Sequence, residues 1–217
     1  SVAWSTTGDL DYPASSGPDS GTWSASVTAT TAEIREGTLH IAVATGYTKT
    51  YTATPAAGDA LSNATGTTMQ VTIPAYPIGT TSLYPVMGAG GEFGFDDGTY
   101  QARVRLSNPT GSTSYYRIAL GEWDGSAWDY TNYDTVYNGN ARVLRLICTG
   151  EYAALYVGET PLRTVTSLAT TSGTNDVFFR GGSDLTSGYI KYDSLYISND
   201  GAFAPGSEYS SSTMGGL

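Results

Sequence analysis

Two stretches decide the fold: Gly188–Ser198, GYIKYDSLYIS, and Arg142–Leu162, RVLRLICTGEYAALYVGETPL. Both alternate apolar and polar residues with period two, the pattern of strands with one buried face. In the second stretch Leu144, Leu146 and Cys148 share one parity. In the first, Ile190 and Tyr192 share one parity and Leu195 and Ile197 the other. A bulge at Asp193-Ser194 would let both pairs face one core.

Outward from these, the same alternation predicts strands over Thr38–Ala44, Thr67–Ile73, Thr99–Ser107, Ser114–Trp123, Val143–Thr149, Ala153–Val157, Asp176–Arg180 and Tyr189–Ser198. In Thr99–Ser107, Ala102, Val104 and Leu106 oppose Arg103 and Arg105. Asn108-Pro109-Thr110-Gly111, Asp124-Gly125 and Asn138-Gly139 are turn signals. Asp124-Gly125, between two aromatic-rich runs, predicts a type I′ hairpin, because Asp and Gly tolerate the positive φ it needs. No window carries an apolar stripe of helical period.

Tyr192-Asp193-Ser194-Leu195-Tyr196-Ile197 resembles the closing strand of the concanavalin A-like (laminin-G-like) jelly rolls. Arg142–Leu162 is similar to the preceding strands of that fold, and Glu36-Gly37-Thr38-Leu39-His40-Ile41 looks like its first core strand. The resemblance covers mainly residues from Thr99 to Ser198. It implies an all-β chain: a single jelly-roll sandwich of two antiparallel sheets over residues 23–198. Residues 1–22 and 199–217 then form N- and C-terminal arms. They are rich in Ser, Gly, Asp and Pro, a composition that orders only against another surface. That is read as a hint of assembly, the equal alternative being arms packed on their own domain. At 217 residues one all-β domain is the natural size.

Ten basic and twenty acidic residues give a net charge of −10. Such a surface repels phosphate backbones and anionic lipid, so no nucleic acid and no membrane insertion are expected. No apolar run approaches the ~18 residues of a membrane span. The single Cys148 forms no intrachain disulfide and reads as a small core residue. Ser1 is compatible with removal of an initiator Met or of a longer leader. Asn63-Ala64-Thr65 is a glycosylation sequon, read as chance in a Thr-rich chain.

No catalytic residue is assigned. Retaining glucanases of this fold carry E-x-D-x-x-E, which alternation turns toward the cleft. Glu122-Trp123-Asp124 is the nearest match, with Ala127 where the second Glu belongs. His40 is the one histidine and points away from Leu39 and Ile41. Glu33 and Glu36 read as a solvated loop. Gly88-Ala89-Gly90-Gly91 precedes no helix and makes no phosphate loop.

The recognition candidate is Trp123–Tyr137, WDGSAWDYTNYDTVY. Sugars present flat C–H faces to aromatic rings and hydroxyls to polar groups. Trp123, Trp128, Tyr130, Tyr133 and Tyr137 would stack, with Asp129, Asn132 and Asp134 as hydrogen-bonding partners. The structural alternative is a hairpin whose aromatics pair across strands. The resemblance implies no cofactor beyond one structural calcium, with Asp96, Asp97, Asp124, Asp129 and Asp193 as candidate ligands.

The leading functional expectation is a non-enzymatic structural protein of a virion or cell surface, of the phage head decoration or fibre type. Its partners would be protein neighbours in an assembly (capsid, fibre or self), docked through termini and Tyr-rich strands, and its place the virion surface or extracellular. The alternative is a carbohydrate-binding, lectin-like adhesin meeting surface glycans. A third is a divergent glycoside hydrolase or polysaccharide lyase.

Overall fold

A computed structural model describes residues 25–29, 32–35, 38–42, 49–55, 61–62, 66–79, 89–96, 101–124, 126–149, 152–165, 174–183, 189–193 and 195–198. Among these, the regular elements are β-strands and their pairings are antiparallel. Both predicted arms, 1–22 and 199–217, lie outside the described residues.

The first layer contains β1 (Ala25–Ala29), β4 (Lys49–Pro55), β17 (Thr174–Ser183), β8 (Ala89–Asp96), β9 (Gln101–Ser107), β10 (Tyr115–Leu120) and β13 (Tyr133–Tyr137), in that spatial order. The short β5 (Leu61–Ser62) adds to β17. The second layer runs β16 (Thr160–Val165), β15 (Tyr152–Val157), β14 (Arg142–Thr149), β6 (Thr67–Ile73) and β19 (Leu195–Ser198). It continues as β2 (Ala32–Arg35), β3 (Thr38–Ala42), β18 (Tyr189–Tyr192) and β7 (Ile78–Gly79). Between β10 and β13 a small hairpin, β11 (Glu122–Trp123) with β12 (Trp128–Asp129), leaves the sheet.

The closing strand divides where its alternation changes parity. β18 pairs with β3 and β7, and β19 pairs with β6. Across the break the Lys191 N–H donates to the Pro77 carbonyl and the Asp193 N–H to the Thr72 carbonyl, both at 2.8 Å. Ile190, Tyr192, Leu195 and Ile197 all reach the core, as the parity change required. The device is a change of partner strand rather than a bulge within one ladder.

The core lies between the layers. Leu39, Ile41, Met69, Val71, Ile73, Leu144, Leu146 and Cys148 face Phe93, Phe95, Val104, Leu106, Ile118, Val177 and Phe179 in one cluster. Burying each large aliphatic or aromatic chain contributes about 1.5–3 kcal/mol. Phe179 stacks on Phe93 at 5.9 Å and meets Tyr192 edge-on at 4.8 Å. The Tyr192 hydroxyl crosses the core and lies 3.2 Å from the carbonyls of Glu92 and Arg180, which are register partners on β8 and β17.

That crossing explains Gly91. A Cβ there would lie 2.4 Å from the Tyr192 hydroxyl and 2.8 Å from the Arg180 carbonyl. Gly91→Ala is expected to destabilise the domain by about 1–3 kcal/mol through overpacking. Tyr192→Phe is expected to cost about 1 kcal/mol, the worth of its hydrogen bond. Because the Arg180 backbone also blocks the added methyl, Tyr192→Phe should rescue Gly91→Ala only in part. Urea denaturation of the single and double variants checks this.

Candidate functional site

The site is the outer face of β8, β9, β10 and β17. Alternation sends Phe93, Phe95 and Val104 inward and leaves Glu92, Arg103, Arg105 and Arg180 outward. Register places Arg180, Glu92 and Arg105 side by side on β17, β8 and β9.

Glu92 is the centre, with a side chain 1% exposed. Its Oε1 accepts from Arg105 Nε at 2.9 Å, Arg105 Nη2 at 2.5 Å and the Tyr130 hydroxyl at 2.9 Å. Its Oε2 faces Arg180 Nη1 at 3.7 Å and Arg103 Nη1 at 3.9 Å. Burial, then the Glu92 charge, raises the Tyr130 phenol above the ordinary tyrosine value of 10.0. Burial, then the Arg103 charge, lowers the pKa of Arg180.

The β11–β12 hairpin lays its aromatics over this charge cluster. The Arg103 guanidinium lies 4.3 Å from the Trp128 ring centroid and that of Arg105 3.5 Å from Tyr130. Trp128 stacks with Tyr130 at 6.4 Å and meets Trp123 at 5.5 Å. Gly121 permits this: a Cβ there would lie 2.8 Å from the Trp128 ring and 3.0 Å from that of Tyr130. Trp123 is outermost, 38% exposed. Beside the hairpin Glu122 is ion-paired to Arg163 of β16, and Asn132 Nδ2 donates to Glu122 at 3.4 Å.

Farther along, Tyr115 and Tyr137 are register partners with rings 5.9 Å apart. Arg117 lies 4.0 Å from the Tyr133 ring centroid. Tyr115, Tyr133 and Tyr137 are all exposed.

The predicted window therefore divides. Trp123, Trp128 and Tyr130 form one ladder; Tyr133 and Tyr137 belong to β13, with the Arg117 and Tyr115 that sequence reading left out. The cross-strand alternative is realised as well, in Trp123–Trp128 and Tyr115–Tyr137. Asp129 accepts from the Thr131 N–H and hydroxyl at 2.7 and 3.0 Å. Asp134 accepts from the Thr135 N–H at 2.8 Å. The hairpin closes with the Asp124 N–H donating to the Ala127 carbonyl at 3.1 Å, so Asp124 flanks the turn it was expected to centre, and its Oδ1 caps it. That oxygen accepts from the N–H groups of Ser126 and Ala127, both at 2.7 Å, and these bonds lower its pKa.

Of the calcium candidates, Asp124 and Asp129 serve turns, Asp96 pairs in register with Asp176 on β17, and Asp193 sits at the β18–β19 break. Asp97 lies outside the described residues. Among the described residues no three of His, Cys, Asp and Glu come together. His40 is on β3 in the other layer, in T-shaped contact with Tyr189. Glu33 belongs to β2, opposite His40, and not to a loop; Glu36 lies outside the described residues.

Sequence reading missed β8 and with it Glu92. The glycines of Ala89–Asp96 hid the strand, although Phe93-Gly94-Phe95 alternates correctly. The lone outward Glu opposite two arginines of β9 was the available signal.

No protein-family model matches the chain, and no curated protein does. Solved structures match its shape. The carbohydrate recognition domain of Emp47p superposes with a TM-score of 0.51 at 12% identity, over 81% of this chain and 88% of that one. Family 7 alginate lyase A1-II′ gives 0.53 at 13%, over 82% and 84%. A chain from a study of endo-acting O-glycanases of the human gut microbiota gives 0.53 at 9%, over 77% and 82%. The fold is a concanavalin A-like jelly roll.

Two predictions follow from the charge cluster. Glu92→Ala removes the acceptor shared by Arg105 and the Tyr130 hydroxyl and is expected to cost roughly 2–4 kcal/mol, below a fully buried pair because the arginines are partly solvated. Denaturant unfolding measures it. The phenols of Tyr116 and Tyr130 are both raised, Tyr116 by burial first. Their unfolded forms ionise near 10.0, so the stability they hold below that pH is lost as pH rises above it. Absorbance titration near 295 nm should place both among the tyrosines that ionise only on alkaline unfolding.

Proposed function

We propose that this domain is a non-catalytic carbohydrate-binding module that takes a glycan on the outer face of its first sheet. The observation that carries the reading is the ladder Trp123–Trp128–Tyr130: Trp128 and Tyr130 lie on the guanidinium groups of Arg103 and Arg105, which surround a buried carboxylate, and Trp123 packs tilted against Trp128. Rings ordered in advance lose little entropy when a sugar stacks on them. Glu122 and Asn132 lie beside the ladder as partners for hydroxyls. The carbohydrate recognition named for the Emp47p domain supports the carbohydrate part of this reading.

Non-catalytic action is supported by how the acidic groups are used. Glu92 is held by Arg105 and Tyr130, and Glu122 by Arg163. Ala127 stands where the glucanase-like spelling needs its second Glu, and Asp124 caps the hairpin turn.

A structural role on a virion or cell surface, with docking to protein neighbours, is favoured by one observation. Tyr76, Tyr115 and Tyr137 are exposed at one end of the sandwich, where the Tyr76 N–H donates to the Asn138 carbonyl at 2.7 Å. Exposed tyrosines bury area at low entropy cost.

A glycan array with the purified domain tests the first reading, with light scattering for the second. Trp123→Ala is expected to weaken glycan binding at least about tenfold without loss of fold, since stacking is its main role. It is a cleaner test than Trp128→Ala, which would also uncover Arg103. No glycan bound by the wild type, with a multimeric mass that falls in Tyr115→Ser/Tyr137→Ser, would replace the first reading with the second.

A further inference from the structure

We infer that Arg117 is the specificity-determining residue for an acidic glycan, binding the carboxylate of a uronic or sialic sugar seated between Tyr133 and the Tyr115–Tyr137 pair. The inference rests on the carbohydrate-binding reading and adds the chemical class of the ligand.

The arginines of this face are used differently. Arg105 is tied to Glu92 by two hydrogen bonds, and Arg180 and Arg103 lie within ion-pair distance of the same carboxylate. Arg117 sits one register row away from Arg105, between Ser107 of β9 and Thr135 of β13. Its interaction is with a ring, Tyr133, at 4.0 Å, and no described carboxylate forms an ion pair with it. The nearest acidic residue along β13, Asp134, is in register with Ile118 and hydrogen-bonds to the Thr135 N–H. Arg117 shares its ring contact with Arg103 and Arg105, but unlike them it has no Glu92 carboxylate beside it.

The surroundings suit a sugar acid. Tyr133 is 45% exposed although the guanidinium lies over it, so ring area remains for a pyranose face. Tyr137 at 46% and Tyr115 at 50% continue the surface along β13 and β10. The Tyr133–Arg117 contact holds the guanidinium fork in place, and a planar carboxylate matches that fork with two parallel hydrogen bonds. Thr135 and Ser107 flank Arg117 as hydroxyl-bearing neighbours in the same row.

The test compares polygalacturonate, alginate, hyaluronan and polysialate, each beside its carboxyl-reduced neutral counterpart, by titration calorimetry on the whole domain. At least one acid form is expected to bind the wild type about tenfold or more tighter than its neutral counterpart. Arg117→Gln should erase that difference, with the neutral forms still bound and the domain still folded, and Arg117→Lys should restore part of it. Equal binding of acid and neutral forms by the wild type, or a preference that survives Arg117→Gln, overturns the assignment and leaves the carbohydrate reading standing. Binding of no glycan here or on the array overturns both.

Discussion

Glu92 joins the two halves of this structure. Its backbone carbonyl meets the Tyr192 hydroxyl that crosses the core from the second layer. Its carboxylate, on the opposite side of the same strand, fixes Arg105 and Tyr130 and faces Arg103 and Arg180. Burying a carboxylate costs several kcal/mol unless charge and hydrogen bonds replace its water. Here one oxygen receives three N–H or O–H donors, and the other looks toward two further guanidinium groups. The penalty is offset only with all these groups in place, so the strand β8, the sheet around it and the hairpin above are locked together.

The same arrangement makes an ordered aromatic face on a sheet that would otherwise be open. Arginines on β9 alternate outward because alanine, valine and leucine alternate inward. Tethered to Glu92, they give Trp128 and Tyr130 a cationic surface to lie on, and Gly121 removes the methyl that would hold the rings off. Cation–π contacts of this kind are worth about 0.5–2 kcal/mol each. Their larger effect is to remove rotamer freedom before any ligand arrives. Arg117, one row away, repeats the guanidinium-on-ring geometry with Tyr133 but without the carboxylate.

Several strands and their buried faces are already written in local alternation. Thr67–Ile73 is a strand over the residues its pattern marks, and Arg142–Thr149 and Tyr152–Val157 pair as the apolar parity demands. The parity change in GYIKYDSLYIS announced that both ends of the strand would be buried. The partner exchange that achieves it was invisible, since β3, β6 and β7 are distant in sequence. Ser114–Trp123 reads as one strand but breaks at Gly121, where β10 ends and the hairpin begins. The available signal was Glu122, a charged residue at the parity that Tyr116, Ile118 and Leu120 send into the core.

Residues two apart on one chain set the inward and outward faces of the stretches that read as strands and marked the aromatic window, while the fold class came from the resemblance of a few short motifs. Which groups share the site is a matter of tertiary structure. Glu92, Arg105, Tyr130 and Arg180 are separated by up to 88 residues in the printed numbering, and β8, β9 and β17 are brought together by sheet order rather than by chain order. A charge on one strand finds its partners on another through register. Register is set by the whole core packing one face of each strand, and no local pattern specifies it.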